Sequence, residues 1–228
     1  MENKTSKEKN AIDFYMLYNK LNEIIRTGWI SWNVKRDRVE SIAEHVYGAQ
    51  MLALGMYFAY EDYKNIDIKK VILMLALHET EETIIGDISA LKMSDKERNK
   101  IGHVVVEQVD EKFCANGEIK DLNFEFDEGK TLEAKYARSC DKLQWDLQSI
   151  IYDREGCVNI NTKADKDPIV INNQLVKKML EAGKSFSEIC LLYSQERYAY
   201  DENFMNVSNY ALVHKTKKLV RKNETNNK

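Results

Sequence analysis

One proline and nine glycines punctuate a chain of 228 residues. A sandwich or barrel of short strands needs frequent turns, and turns draw on those two residue types, so this chain has too few to build one. So sparse a set of breakers permits long helices, and an all-α chain is predicted. With 43% hydrophobic residues it can bury a sizeable core, which excludes disorder of the whole chain, and its length predicts a single domain over residues 1–228.

Thirty-four Lys and Arg stand against 37 Asp and Glu, a net charge of −3 that excludes a generically basic binder of nucleic-acid polymers. The opening stretch MENKTSKEKN lacks the apolar run of a secretory signal, and nowhere do roughly 18 uninterrupted apolar residues suggest a membrane helix. Cys114, Cys140, Cys157 and Cys190 are widely spaced and form no CxxC pair, so a reducing cytoplasm is the expected location.

Periodicity and end signals place the helices. A first helix is predicted over 11–26, closed by Gly28. Ser41 and Glu44 read as a capping box opening a helix over 41–60, and Asp67 can cap a third over 68–82, whose centre VILMLAL is apolar all round. Gly86-Asp87 ends it. A second capping box, Ser94 and Glu97, opens a helix to about Cys114; a polar connection over 115–129 follows, then a long helix over 131–152. The stretch 153–168 is the longest loop expected in the second half. Two or three further helices follow within 169–222, one opened by Ser185 and Glu188, before a basic, polar tail.

No GxGxxG, GxxxxGK[ST] or GxSxG is present, so dinucleotide, P-loop and serine-hydrolase readings drop out. The chemistry concentrates in LALHETEETIIGDIS, where His78 and Glu79 end a buried helix and Glu82 lies one turn beyond His78. A zinc peptidase of HExxH type needs a second imidazole where Glu82 stands, so that reading fails. Two readings stay open: an acidic helix end solvated at the surface, Glu81 included, or a divalent-metal site completed by His45 and Asp141 from other helices. His103 and His214 are expected to be surface or packing residues, and Trp32 and Trp145 to pack helices.

Four ordered segments resemble the HD-domain metal-dependent phosphohydrolases, in particular their 5'-deoxynucleotidase-like branch: Arg26-Thr-Gly-Trp29, then RVESIAEH ending at His45, then LHETEETIIGDIS, then RSCDKL containing Asp141. The resemblance spans Arg26 to Leu147, a little over half the chain, and does not extend into the C-terminal third.

That resemblance implies an HD-type helical bundle with a metal between helices 41–60, 68–82 and 131–152. The ligands would be His45, His78, Glu79 and Asp141, the catalytic carboxylate Glu82, the phosphate contact Arg26, and the wall against the sugar Trp29. Asp87 would brace the site or touch substrate. Two imidazoles and two carboxylates suit Mn, Co, Zn or Fe better than Mg. The implied activity is removal of the 5'-phosphate from nucleoside monophosphates, deoxyribo forms preferred, by a homodimer. The absence of a basic cluster near these residues in the sequence favours a monophosphate over an alarmone or triphosphate. The chain departs from the family at one place, since position 79 is Asp there and Glu here, and a methylene moves a carboxylate by about 1.5 Å. The alternative is therefore a degenerate HD domain that binds nucleotide, or acts as an interaction module, without turnover.

Overall fold

A computed structural model describes residues 6–88, 93–113 and 115–214. The helices are α1 (Lys7–Asn19), α2 (Thr27–Ser31), α3 (Ile42–Ala59), α4 (Ile68–Leu77), α5 (Glu82–Ile85), α6 (Asp95–Phe113), α7 (Glu118–Glu128), α8 (Leu132–Arg154), α9 (Pro168–Asn172), α10 (Gln174–Glu181), α11 (Phe186–Ser194) and α12 (Glu202–His214), with 3-10 turns at Lys20–Asn22, Glu61–Tyr63 and Gln195–Arg197. Among the described residues there is no strand, only an isolated antiparallel bridge between Ile25 and Ser41. None of the described helices is long and apolar enough to cross a membrane. The fold is all-α, as the scarcity of breakers predicts.

All three predicted capping boxes form. Ser41 and Ser185 exchange reciprocal bonds with Glu44 and Glu188, and Ser94 does so with Glu97. The long loop after α8 ends where Asp167 caps α9 ahead of Pro168. Three predicted elements differ. The first helix closes by Asn22 rather than 26, because the segment after it runs extended and pairs with the start of α3: Ile42 N–H donates to Ile24 O at 2.8 Å, and Arg26 N–H to Glu40 O at 3.3 Å. The polar connection 115–129 contains α7. Its sparse apolar residues Ile119, Leu122 and Phe126 do share one face, and its N-terminal amides are satisfied from outside, by the Asp110 carboxylate bonding the N–H groups of Gly117, Ile119 and Lys120. The predicted 68–82 helix stops at Leu77, with consequences for the site. The tail from residue 215 and Cys114 lie outside the described residues; Cys140, Cys157 and Cys190 are buried free thiols.

The 23-residue α8 is the central pillar, packing against α3, α4, α7, α11 and α12. One core joins α3, α4 and α8 through Ala49, Ala53, Met56, Val71, Met74, Leu75, Ala137 and Leu143; a second gathers Trp29, Trp32 and Tyr152 with the C-terminal helices. Each fully buried Val, Leu or Met side chain among them contributes about 1.5–3 kcal/mol. The stripes that make the first core also carry polar groups inward. His45 continues the α3 stripe of Ala49, Ala53 and Met56; His78 continues Val71 and Met74–Leu75 of α4; Asp141 and Gln144 continue Ala134 and Ala137 of α8.

Candidate metal centre

Three helices thus deliver ionisable side chains to one buried point, an arrangement that costs several kcal/mol per charge unless each finds a partner. One ligand atom from each of His45, His78, Glu79 and Asp141 can be chosen so that all lie within 4.8 Å of one another. His45 Nε2 is 3.0 Å from Asp141 Oδ1 and 3.7 Å from Glu79 Oε1, and His78 Nε2 is 3.3 Å from that same Glu79 oxygen.

Both imidazoles are held by their other nitrogen. His45 Nδ1–H donates to Gln144 Oε1 at 2.5 Å; Gln144 is oriented because its amide nitrogen donates to Glu40 Oε1 at 2.6 Å, and Glu40 Oε2 accepts from the Trp29 indole at 2.8 Å. A carboxylate can only accept, so this chain fixes the Gln144 amide and the His45 tautomer together. His78 Nδ1–H donates to Leu75 O at 2.8 Å. Both Nε2 atoms are then lone-pair donors aimed into the cluster, and both are buried without a hydrogen-bond partner. Two orphaned imidazole nitrogens facing two carboxylates fit a divalent cation and fit little else.

The charges of the carboxylates follow from their neighbours. Burial pushes Glu79 up, but His78, Arg26 and His45 together hold it below the usual carboxylate range. Asp141 likewise resists burial because Lys142, His45 and His78 surround it, and it lies well below its ordinary value. Glu82 is the opposite case. Burial, then the negative charges of Glu79 and Asp87, raise it well above the carboxylate range, and its Oε2 is buried without a partner. His78 is raised, the attraction of Glu79 outweighing burial.

The local chain path explains why a glutamate at 79 reaches the cluster. After Leu77 the backbone tightens to i→i+3 bonds, Thr80 N–H to Leu77 O at 3.0 Å and Glu82 N–H to Glu79 O at 3.2 Å, while the Thr80 and Thr83 hydroxyls bond back to the carbonyls of Leu77 and Thr80. Threonines that bond backwards compete with regular helix, and this is where the predicted helix breaks. The Tyr18 and Thr80 hydroxyls, 2.7 Å apart, pin the turn to α1. Arg26 NH1, 3.2 Å from Glu79 Oε1, holds the longer arm from the other side.

Arg26 and Asp87 both line the cavity around the cluster, and Asp87 Oδ2 braces the arginine's loop by accepting the Thr27 N–H at 2.6 Å. Trp29 does not face that cavity. It is fully buried behind Trp145, the rings stacked 3.4 Å apart at 8°, and it is Trp145 that lines the cavity. The Arg-Thr-Gly-Trp spacing serves this stack: a side chain at Gly28 would meet Trp145 at 2.3 Å, so only glycine allows the approach. Glu81 is not a solvated neighbour either. Burial, with help from the Glu79 charge, pushes it up to about 7. The expectation of no basic cluster is also corrected, since Arg26, Arg98, Arg138, Lys142 and Arg197 line the polar cavity together, drawn from four separate stretches of chain. His103 pairs with Asp127 at 2.7 Å and His214 stacks on Tyr210, both away from the cluster. Glu40 and Gln144 were missed as site residues, although Glu40 sits inside the RVESIAEH segment and Gln144 lies one turn after Asp141 on the same face.

Comparison with known proteins agrees with this geometry. Residues 18–182 match the family model described as HD domain. The 5'-deoxynucleotidase HDDC2 of Dictyostelium discoideum is 28% identical over 152 residues, covering 64% of this chain and 79% of that protein. The Xenopus laevis 5'-deoxynucleotidase HDDC2 is 28% identical over 65% of this chain and 72% of its own. Among solved structures, a protein of Pyrococcus horikoshii OT3 superposes with a TM-score of 0.62 at 25% identity, covering 87% of this chain and 96% of that one. A matched family model spanning well over half of the residues, and four polar side chains converging as a divalent-metal site would require, make the protein a member of the HD-domain family.

Proposed function

We propose that the protein is a metal-dependent phosphohydrolase that removes the 5'-phosphate from nucleoside monophosphates, deoxyribo forms preferred. The observation that carries this reading is the pair of orphaned nitrogens, His45 Nε2 and His78 Nε2, turned towards Glu79 and Asp141, with the unpartnered oxygen of Glu82 nearby. The names of the curated relatives, 5'-deoxynucleotidases, support the substrate class.

His45, His78, Glu79 and Asp141 would hold the ion, Mn, Co, Zn or Fe in preference to Mg, because imidazole favours borderline metals over a hard, well-hydrated one. When bound, such an ion supplies Lewis-acid chemistry, lowering the pKa of water and neutralising charge on a phosphoryl oxygen. Glu82 takes the proton of the attacking water, a task suited to a carboxylate whose affinity for protons has been raised by burial. Arg26 offers its fork to the remaining phosphate oxygens. Asp87 keeps the arginine's loop in place. The Glu79 carboxylate lies within the cluster despite its extra methylene, which supports turnover over the non-hydrolytic alternative.

Metal analysis of the purified protein after incubation with Mn, Co or Zn, followed by a phosphate-release screen over mononucleotides, tests the reading. The expected result is about one ion per chain, lost in His78→Ala, and phosphate released from deoxynucleoside monophosphates. Metal binding with no phosphate released from any mononucleotide would overturn it.

A further inference from the structure

The cavity has two compartments. The polar one holds His78, Glu79 and Glu82. A larger one of about 210 Å³ continues from it, since Arg26, Asp141, Lys142 and Arg197 line both, and is walled by apolar side chains. Part of that wall is Trp145, which has one face covered by Trp29. The rest comes largely from α11, which packs along α8 and contributes Ile189, Cys190 and Tyr193, with Arg197 on the 3-10 turn after it. The HD-domain match ends at residue 182, so α11 and the turn after it lie beyond the matched stretch, while Trp145 lies within it.

We propose that α11 and the turn after it form the substrate-recognition wall of the site: Tyr193, with Trp145, takes the planar, uncharged end of the substrate, and Arg197 meets its phosphate. The inference rests on the phosphohydrolase reading. A phosphomonoester whose charged end lies at the polar compartment can place its organic part in the apolar one, because the two are continuous. A nucleobase suits aromatic walls of this kind, since stacking on an aromatic ring rewards any planar base. Arg197 is exposed and stands where the compartments join, so it can contact a phosphate without being desolvated beforehand. The C-terminal helices thereby acquire a role, turning a metal cluster common to a family into a site with a shape for one class of phosphomonoester.

The test compares kcat/KM of the Mn-loaded protein for deoxyadenosine 5'-monophosphate and for deoxyribose 5-phosphate, which lacks the base. Tyr193→Ala should lower the nucleotide value by about 10-fold or more and the sugar-phosphate value far less, and Tyr193→Phe should restore the preference. Arg197→Ala should lower both by a similar factor, through KM. Equal losses for the two substrates in Tyr193→Ala, or none, would overturn the placement of the base, and an unchanged Arg197→Ala would overturn the phosphate contact. Quenching of tryptophan fluorescence by deoxyadenosine gives an independent readout. Quenching in wild type that weakens in Tyr193→Ala supports the wall even if no phosphate is released from either substrate, a result that would defeat only the phosphohydrolase reading; absence of quenching in wild type overturns the wall.

Discussion

Asp141 and Asp146 lie five residues apart on α8, both buried, and their proton affinities are shifted in opposite directions. Burial alone would neutralise either. Asp141 faces Lys142, His45 and His78, which together outweigh burial and hold it well below the usual carboxylate range. Asp146 faces the other side of the helix, where the Tyr198 hydroxyl donates to its Oδ2 at 2.8 Å and the Ser194 hydroxyl is a further neighbour; burial drives it well above that range against their pull. At Asp146 the hydroxyls, with Lys142 and Arg197 as lesser attractions, do not offset burial, whereas at Asp141 Lys142 and the two imidazoles do. One helix therefore carries one carboxyl whose proton affinity is lowered among the cluster residues and another whose proton affinity is raised where it bonds Tyr198 beyond α11.

The sharpest way to break the functional side of this contrast is Glu82→Gln. It removes proton transfer from a carboxylate that is not among the proposed ligands, so turnover should fall by roughly 10²–10⁴-fold while metal content and fold persist. Phosphate release and metal analysis on one preparation check this; wild-type turnover would remove Glu82 from the mechanism.

A smaller effect is expected one layer out. Gln144→Leu leaves His45 Nδ1–H and Glu40 Oε1 without their partner, so the His45 ring loses its fixed tautomer. Metal affinity should fall by about 10- to 100-fold, the usual cost of losing an outer-shell partner. Competition titration with a chelating dye measures it. An unchanged affinity would mean that packing alone orients His45.

How much of this was legible in the sequence follows from how local each signal is. Capping boxes and apolar stripes are local, so Ser41 with Glu44 marks the start of α3, and the stripe that buries Ala49 and Ala53 also carries His45 inward. The resemblance names His45, His78, Glu79 and Asp141, and one ligand atom of each lies within 4.8 Å of the others. What could not be read depends on neighbours far along the chain. The helix α7 is hidden because its end is capped by Asp110 from α6. The tightened turn after Leu77 is a competition between threonine side chains and helix that propensity does not rank. The basic lining is assembled from separate stretches, with Arg26 and Arg197 brought together only by the fold. Trp29 is expected to wall the sugar and Trp145 to pack helices, but their stacking order puts Trp145, not Trp29, at the cavity.

The smallest effect belongs to Asp146. Asp146 has a native pKa raised above the unfolded value of about 3.9. The folded chain then holds that proton more tightly than the unfolded one, so the contribution to stability is fully present below about pH 4 and is lost as pH rises through the native pKa. Asp146→Asn keeps an oxygen to accept from Tyr198 and has no proton to lose. At pH 4 its stability should differ from wild type by only about 1 kcal/mol, the scale of a rearranged hydrogen bond. As pH rises towards 8, the difference should move steadily in favour of the asparagine variant. Urea midpoints of the metal-free proteins across that range, taken as variant minus wild type so that all other titrations cancel, check the slope. A difference that does not change with pH would show that Asp146 titrates alike in the folded and unfolded chains, and the contrast with Asp141 would then be one of partners and not of charge.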